Sequence, residues 1–195
     1  MKLRGLYAIT PEGGDVERST RLALEGGVAL LQYRQKKRDL GLARAIVRMA
    51  RGFRVPVIIN DDLELALELG ADGAHLGRDD GDLGAARKRL RGRLLGASCY
   101  NDAALGQAAV RAGADYIAFG SVFPSPTKPA AVRAPLSLFT EGRRLGVPLA
   151  AIGGITLDNA REAVAAGADL LAVITDLFEA PDIRQRARDY GKLFA

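Results

Sequence analysis

Ala112-Gly-Ala-Asp-Tyr-Ile-Ala-Phe-Gly120 is the stretch from which the fold is read. A helix ends at the glycine, an aspartate follows, and a short, nearly all-apolar strand begins. Glycine suits the left-handed residue that closes a helix. Apolar strands of this length suit a parallel sheet covered on both faces. The unit occurs three more times, as Leu24-Glu-Gly-Gly-Val-Ala-Leu-Leu-Gln-Tyr33, Leu69-Gly-Ala-Asp-Gly-Ala-His-Leu-Gly77 and Ala166-Gly-Ala-Asp-Leu-Leu-Ala-Val-Ile174. Between the copies lie strand-like runs at residues 3–9, 55–60, 94–98 and 147–152. Helical patterns at 16–25, 40–51, 63–69 and 158–165 separate strands from one another. This alternation predicts a parallel sheet with right-handed crossovers. Eight repeats predict a closed (β/α)8 TIM barrel, one domain over residues 1–195. An open doubly wound sheet is the alternative, but no Gly-x-Gly-x-x-Gly follows the first strand.

Composition narrows the classes of function. The chain has 195 residues, 48% hydrophobic and 26% charged, enough for one substantial core. No apolar run approaches the roughly 18 residues of a membrane span. The N-terminal segment reads as a strand and not as a signal peptide, so a cytoplasmic location is expected. A single cysteine, Cys99, excludes an internal disulfide and a cysteine-rich zinc site. The net charge of +5 suits anionic partners. Lys and Arg are spread along predicted helices, aromatics are only 6% and Trp is absent, which favours small phosphorylated molecules over nucleic acid. The basic helices are compatible with a homo-oligomer.

In such a barrel the site gathers at the C-terminal ends of the strands. Polar residues cluster there and are scarce within the strands. Gly153-Gly154 precedes a helix and leaves backbone N–H groups uncovered, and the turn at Ile174-Thr175 is its neighbour. Together they predict a phosphate site; a plain turn capped by Thr156 or Asp158 is the structural alternative. Asp61 and Asp80 are expected at the tops of adjacent strands, where two carboxylates can hold Mg²⁺ whose other ligands are water and substrate phosphate. These residues and their neighbours Asp62 and Asp79 are equally placed to cap the helices that follow. Arg34 and Lys36 after the second strand, and Lys128 in a long loop at residues 121–135, can converge on anionic oxygens. Each alone also reads as a solvated surface charge. That loop holds Phe123-Pro-Ser-Pro-Thr-Lys128, in which prolines limit the shapes open to it and hydroxyls offer hydrogen bonds. With His75 the only histidine, zinc and histidine-based nucleophilic catalysis are disfavoured, and His75 itself reads as structural or supporting. One monophosphate site beside one metal-bound diphosphate site suits an enzyme that expels pyrophosphate.

At these residues the chain resembles the thiamine phosphate synthase family nearly end to end. Leu6-Tyr-Ala-Ile-Thr10 resembles its opening strand, and Gln32-Tyr-Arg-Gln-Lys36 its Gln-Leu-Arg-x-Lys motif. Ile59-Asn60-Asp61, Ala71-Asp-Gly-Ala-His-Leu-Gly77, Phe123-Pro-Ser-Pro-Thr-Lys-Pro129 and Ala151-Ile-Gly-Gly-Ile155 have counterparts in the same order. The resemblance implies that hydroxymethylpyrimidine diphosphate loses pyrophosphate with Mg²⁺ as cofactor, through a pyrimidine carbocation captured by hydroxyethylthiazole phosphate. It implies that Gln32, Tyr33, Arg34, Gln35, Lys36, Asn60, Ser98 and Lys128 hold the pyrimidine diphosphate. Within that set Arg34, Lys36, Ser98 and Lys128 would be catalytic. Asp61 and Asp80 would bind the metal, and Ser125, Pro126, Thr127, Gly154, Ile174 and Thr175 the thiazole phosphate. Cys99-Tyr100 departs from the family's usual residues after strand five. TenI-like thiazole tautomerases share the barrel, but the histidine implicated there in proton transfer is replaced by Tyr100. A non-catalytic phosphate-binding barrel is the remaining alternative.

Overall fold

Pro56 and Pro148 set where two strands begin. Neither has an N–H to give a neighbouring strand, so pairing starts one residue later, in β3 (Val57–Asn60) and β7 (Leu149–Ile152). The sequence places both strands two residues too early for this reason. The proline carbonyls still accept, from the N–H groups of Leu31 and Ile117. The computed structural model describes residues 3–124 and 132–195. The other strands are β1 (Gly5–Ile9), β2 (Leu30–Tyr33), β4 (Gly73–Leu76), β5 (Leu94–Tyr100), β6 (Tyr116–Gly120) and β8 (Leu170–Val173). All pair in parallel and in chain order, and β8 returns to β1, so the sheet is the closed barrel expected. β5 runs two residues past the predicted end, through a register irregularity between Ser98 and Tyr100.

The helices are α1 (Val16–Gly26), α2 (Leu40–Phe53), α3 (Leu63–Glu68), α4 (Leu83–Leu90), α5 (Ala103–Arg111), α6 (Ser137–Gly142), α7 (Leu157–Ala166), α8 (Thr175–Phe178) and α9 (Ile183–Lys192). Aspartates start six of them. The side chains of Asp15, Asp39, Asp62, Asp82, Asp102 and Asp182 each accept an N–H from the first turn. Such a cap is worth about 1 kcal/mol.

Two apolar layers hold the fold. Alternate strand residues point outward, including Leu31, Ile59, Ala74, Leu95, Phe119 and Leu171, and pack beneath the helices. Their neighbours point inward and fill the barrel, among them Tyr7, Leu30, Ile58, Tyr116, Ala150 and Leu170. This is the period-two alternation of a strand. The aspartate of the repeated unit has a structural task at the opposite end from the site. Asp72, Asp115 and Asp169 accept through their carboxylates from the N–H of Val57, Leu95 and Leu149 at 2.8, 2.7 and 3.1 Å. Their own N–H groups donate back to the same three residues' carbonyls. Each of these three copies thus staples the base of its strand to the strand before it, and the copy at 24–33, with Ala29 in that place, lacks the carboxylate. Among the described residues, no helix is long and apolar enough to cross a membrane.

Candidate active site

The mouth of the barrel forms where strands end and helices have not yet begun. At the top of β3, the Asp61 N–H donates to the His75 carbonyl of β4 at 2.8 Å. Its φ of 60° is a left-handed conformation that aspartate tolerates better than most residues. After β4, Asp80 folds back so that its Oδ2 accepts from the Gly77 N–H at 2.6 Å. The two carboxyls lie side by side. Partial burial, then the Asp80 carboxyl, pushes Asp61 up to about 6, against the opposing pull of Arg34 and Asn60. Two carboxylates forced together need a proton or a cation between them. Of the four candidate caps, Asp62 does cap α3, while α4 is capped by Asp82 and not by Asp79 or Asp80. Among the described residues, no group of three or more His, Cys, Asp or Glu forms a closed metal site. A two-carboxylate donor set fits a hard cation that keeps waters and takes oxygens from substrate.

The cations come from the segment after β2. Arg34 Nη1 and Lys36 Nζ both reach Glu12, at 2.8 and 2.9 Å. Lys36, first among the causes, and Arg34 hold the Glu12 carboxyl below its ordinary value. Thr10, almost fully buried, clamps the Arg34 backbone: its Oγ1 accepts from Arg34 N–H at 2.9 Å and donates to Arg34 O at 3.0 Å. Gln35 spends its amide on the Pro11 carbonyl at 2.8 Å, bracing the β1–α1 connection. Tyr33 is buried in the layer beneath the helices, with its hydroxyl donating to the Asp39 carbonyl at 3.0 Å. Strand alternation puts its side chain on the face opposite Gln32, so it offers the mouth only its backbone.

Below the mouth, a connected row of polar groups crosses the barrel. Gln32 Nε2 donates to the Tyr7 hydroxyl at 2.5 Å, and Tyr7 meets the Tyr116 hydroxyl at 2.7 Å. Tyr116 meets His75 Nδ1 at 3.0 Å, and His75 Nε2 meets Ser98 Oγ at 2.9 Å. Gln32, His75, Tyr7 and Tyr116 are all buried. Burial outweighs the attraction of Asp80 and holds the His75 imidazole down at about 4, so the ring is neutral. Gly96 makes the crossing fit: a Cβ there would stand 2.5 Å from His75 Nδ1 and closer still to the Tyr116 ring and hydroxyl. The expectation that polar groups are scarce within the strands therefore needs correcting. Tyr7 and Tyr116 were missed as site neighbours, although their positions share inward parity with Gln32 and His75.

Opposite the carboxylates, Gly153 and Gly154 turn away from β7 with φ of 98° and 65°. Side chains there would also strike Ser121 and the backbone of Phe123 and Pro124, so the turn lies directly against the start of the long β6–α6 connection. Thr156 stands at the N-cap of α7, with its N–H donating to Asn159 Oδ1 at 2.9 Å. Ile174 leads straight into the short α8. The N–H groups of Gly154, Ile174 and Thr175 have no acceptor among the described residues. Ser125, Pro126, Thr127 and Lys128 lie outside the described residues. The structure thus gathers Arg34, Lys36, Asn60, Asp61 and Asp80 on one side of the mouth, with Gln32 and Ser98 at its floor and Gly154, Ile174 and Thr175 at its far wall.

Comparison with known proteins bears on this mouth. A family model described as thiamine monophosphate synthase matches residues 6–177. The thiamine-phosphate synthase of Aromatoleum aromaticum is 59% identical over 202 aligned positions, which cover 99% of this chain and 97% of that protein. The thiamine-phosphate synthase of Azoarcus sp. is 52% identical, covering 100% and 98%. Among solved structures, the thiamine phosphate pyrophosphorylase of Pyrococcus furiosus superposes with a TM-score of 0.88 at 30% identity, covering 98% of this chain and 96% of that one. A 3-hexulose-6-phosphate synthase superposes with a TM-score of 0.75 at 15% identity, over 98% and 100%, a likeness of fold alone.

Proposed function

This chain belongs to the thiamine monophosphate synthase family, and on that premise we propose that its barrel mouth joins hydroxymethylpyrimidine diphosphate to hydroxyethylthiazole phosphate, giving thiamine phosphate and pyrophosphate. It is an enzyme, a transferase. The observation that carries the detailed reading is the facing pair Asp61 and Asp80 beside Arg34.

In this reading Asp61 and Asp80 hold Mg²⁺, which supplies positive charge to the diphosphate oxygens when bound. Arg34, Lys36 and Lys128 neutralise the departing pyrophosphate, and Asn60 steadies Asp61. Gln32 and Ser98 reach the pyrimidine from the floor. The methylene carbon–oxygen bond breaks first, and its electron pair leaves with the pyrophosphate. The thiazole nitrogen then donates its lone pair to the methylene cation. Gly154, Ile174 and Thr175, with Ser125, Pro126 and Thr127, hold the thiazole phosphate so that its nitrogen faces that carbon. Positioning and charge stabilisation supply most of the acceleration. Gln35 and Tyr33 enter this picture through side-chain hydrogen bonds that brace the segment and not by touching substrate. The reading includes cytoplasmic action on two small phosphorylated molecules, with neither nucleic acid nor membrane as partner.

A tautomerase would need a proton acceptor after β5. Tyr100 stands there half in solvent, under the Arg78 guanidinium at 5.1 Å, and no observation favours that reaction. The test is product formation from the two substrates with and without Mg²⁺. Thiamine phosphate appearing only with the metal supports the reading. Folded protein that binds thiazole phosphate and yields no product overturns it.

A further inference from the structure

The five polar groups that cross the barrel have a property that none of them has singly, which is a direction. Each hydroxyl carries one proton to give. The buried His75 imidazole has a hydroxyl at each ring nitrogen and no carboxylate at either, so it carries one proton on one nitrogen and accepts on the other. Gln32 Nε2 gives its proton to Tyr7, so Tyr7 must give its own to the only other partner it has among the described residues, Tyr116. Tyr116, already accepting from Tyr7, gives its proton to His75 Nδ1. The imidazole proton is then on Nε2 and is donated to Ser98 Oγ. Ser98 accepts there, and its own proton has no acceptor among the described residues.

We propose that the Gln32 amide sets the proton order of this chain, so that Tyr7, Tyr116 and His75 act as positioning residues that leave the Ser98 hydroxyl a hydrogen-bond donor toward the barrel mouth. Running the chain the other way would have Ser98 give its proton to His75 Nε2, leaving only acceptor lone pairs for a ligand. The two orders therefore present opposite chemistry at one atom. Burial enforces the choice, since an unmatched donor inside the barrel has no water to turn to. Gly96 belongs to the device because any side chain there would occupy the junction between Tyr116 and His75. The role of Ser98 toward substrate rests on the proposed reaction. The order of the protons does not.

The chain has a single histidine, so the order can be read directly. Protein labelled with ¹⁵N in the histidine ring, free of substrate, is examined by NMR at neutral pH. The expected spectrum shows a protonated Nε2 and an unprotonated Nδ1. A proton on Nδ1, or a charged ring, overturns the proposal whatever reaction the enzyme performs. In Gln32→Met the order loses its anchor, and a second population protonated on Nδ1 is expected; an unchanged spectrum from folded protein removes Gln32 from its role. Turnover supplies the last readout. Tyr116→Phe is expected to lower kcat more than it raises KM, and to cost nothing further when Ser98→Ala is already present. Equal loss in both backgrounds would mean that Tyr116 acts by packing alone and would overturn its part.

Discussion

The carboxyl of Asp61 lies beside that of Asp80, and with partial burial this neighbour raises it to about 6. A native aspartate above its ordinary value binds its proton more tightly than the unfolded chain does. Its contribution to metal-free stability is therefore full below the ordinary aspartate range and is lost as pH rises through about 6. Mg²⁺ competes with that same proton. Its affinity, measured by titration calorimetry with pyrophosphate present, should fall as pH drops below about 6. Asp80→Asn should move Asp61 toward its ordinary value and abolish Mg²⁺-dependent turnover with the fold intact. Metal-independent activity in that variant would refute the assignment.

Glu12 occupies Arg34 and Lys36 together, at 2.8 and 2.9 Å, in the position of an anion that substrate would bring. The pairs are open to solvent, so each contributes little to stability. Glu12→Gln should free both cations and tighten pyrophosphate binding by roughly two- to fivefold, an effect of the size of one such pair. The gain should shrink as salt is added. Binding that weakens in the variant would show that Glu12 orients the cations instead of competing for them.

Gly154 has a φ of 65°, and its missing side chain makes room for the carbonyls of Phe123 and Pro124. Gly154→Ala should displace the turn from the β6 connection and raise KM for the thiazole phosphate at least tenfold, with a smaller change in KM for the pyrimidine diphosphate. Steady-state kinetics with each substrate varied in turn decides this. Equal effects on both would mean that the turn serves the whole mouth.

Asp115 is a carboxylate with a different purpose. It holds Leu95 N–H and Arg87, both at 2.7 Å, at the base of the barrel. Asp115→Ala should cost about 1–3 kcal/mol of stability, the scale of a hydrogen bond to a charged group. Its kcat at a temperature well below unfolding should be unchanged. A thermal melt paired with an activity assay separates this aspartate from Asp61 and Asp80.

The fold was legible because its signals are local. Gly-Ala-Asp before an apolar strand, and aspartates before helices, name the element boundaries residue by residue. The misplaced starts of β3 and β7 follow from reading Val55-Pro56 and Val147-Pro148 as strand, when proline cannot donate to the ladder. The positions of Asp61, Asp80, Arg34 and Lys36 beyond the ends of their strands were legible from the strand-end rule. The anion that Arg34 and Lys36 hold was not, because Glu12 lies in the connection before α1 and no local pattern pairs it with residues on β2's far side. Tyr7 and Tyr116 were hidden for another reason. An aromatic in a buried strand reads as core, and only the closure of the barrel brings five strands' side chains into one row.

The pairing of β8 with β1 also governs how the protein is made. A growing chain emerges with β1 early and β8 late, and at ~5–20 residues per second the interval between them is on the order of ten seconds. For that time the incipient sheet has two bare edges, and one of them is β1, which carries Tyr7. Bare parallel edges attract other strands. The wall at Ile174 and Thr175 does not exist until the last strand arrives, and only then does the sheet close around the row that crosses it. The nascent protein passes through a long sticky stage with no partial activity, and a message cut short before residue 170 would yield aggregation-prone chains and no weakened enzyme.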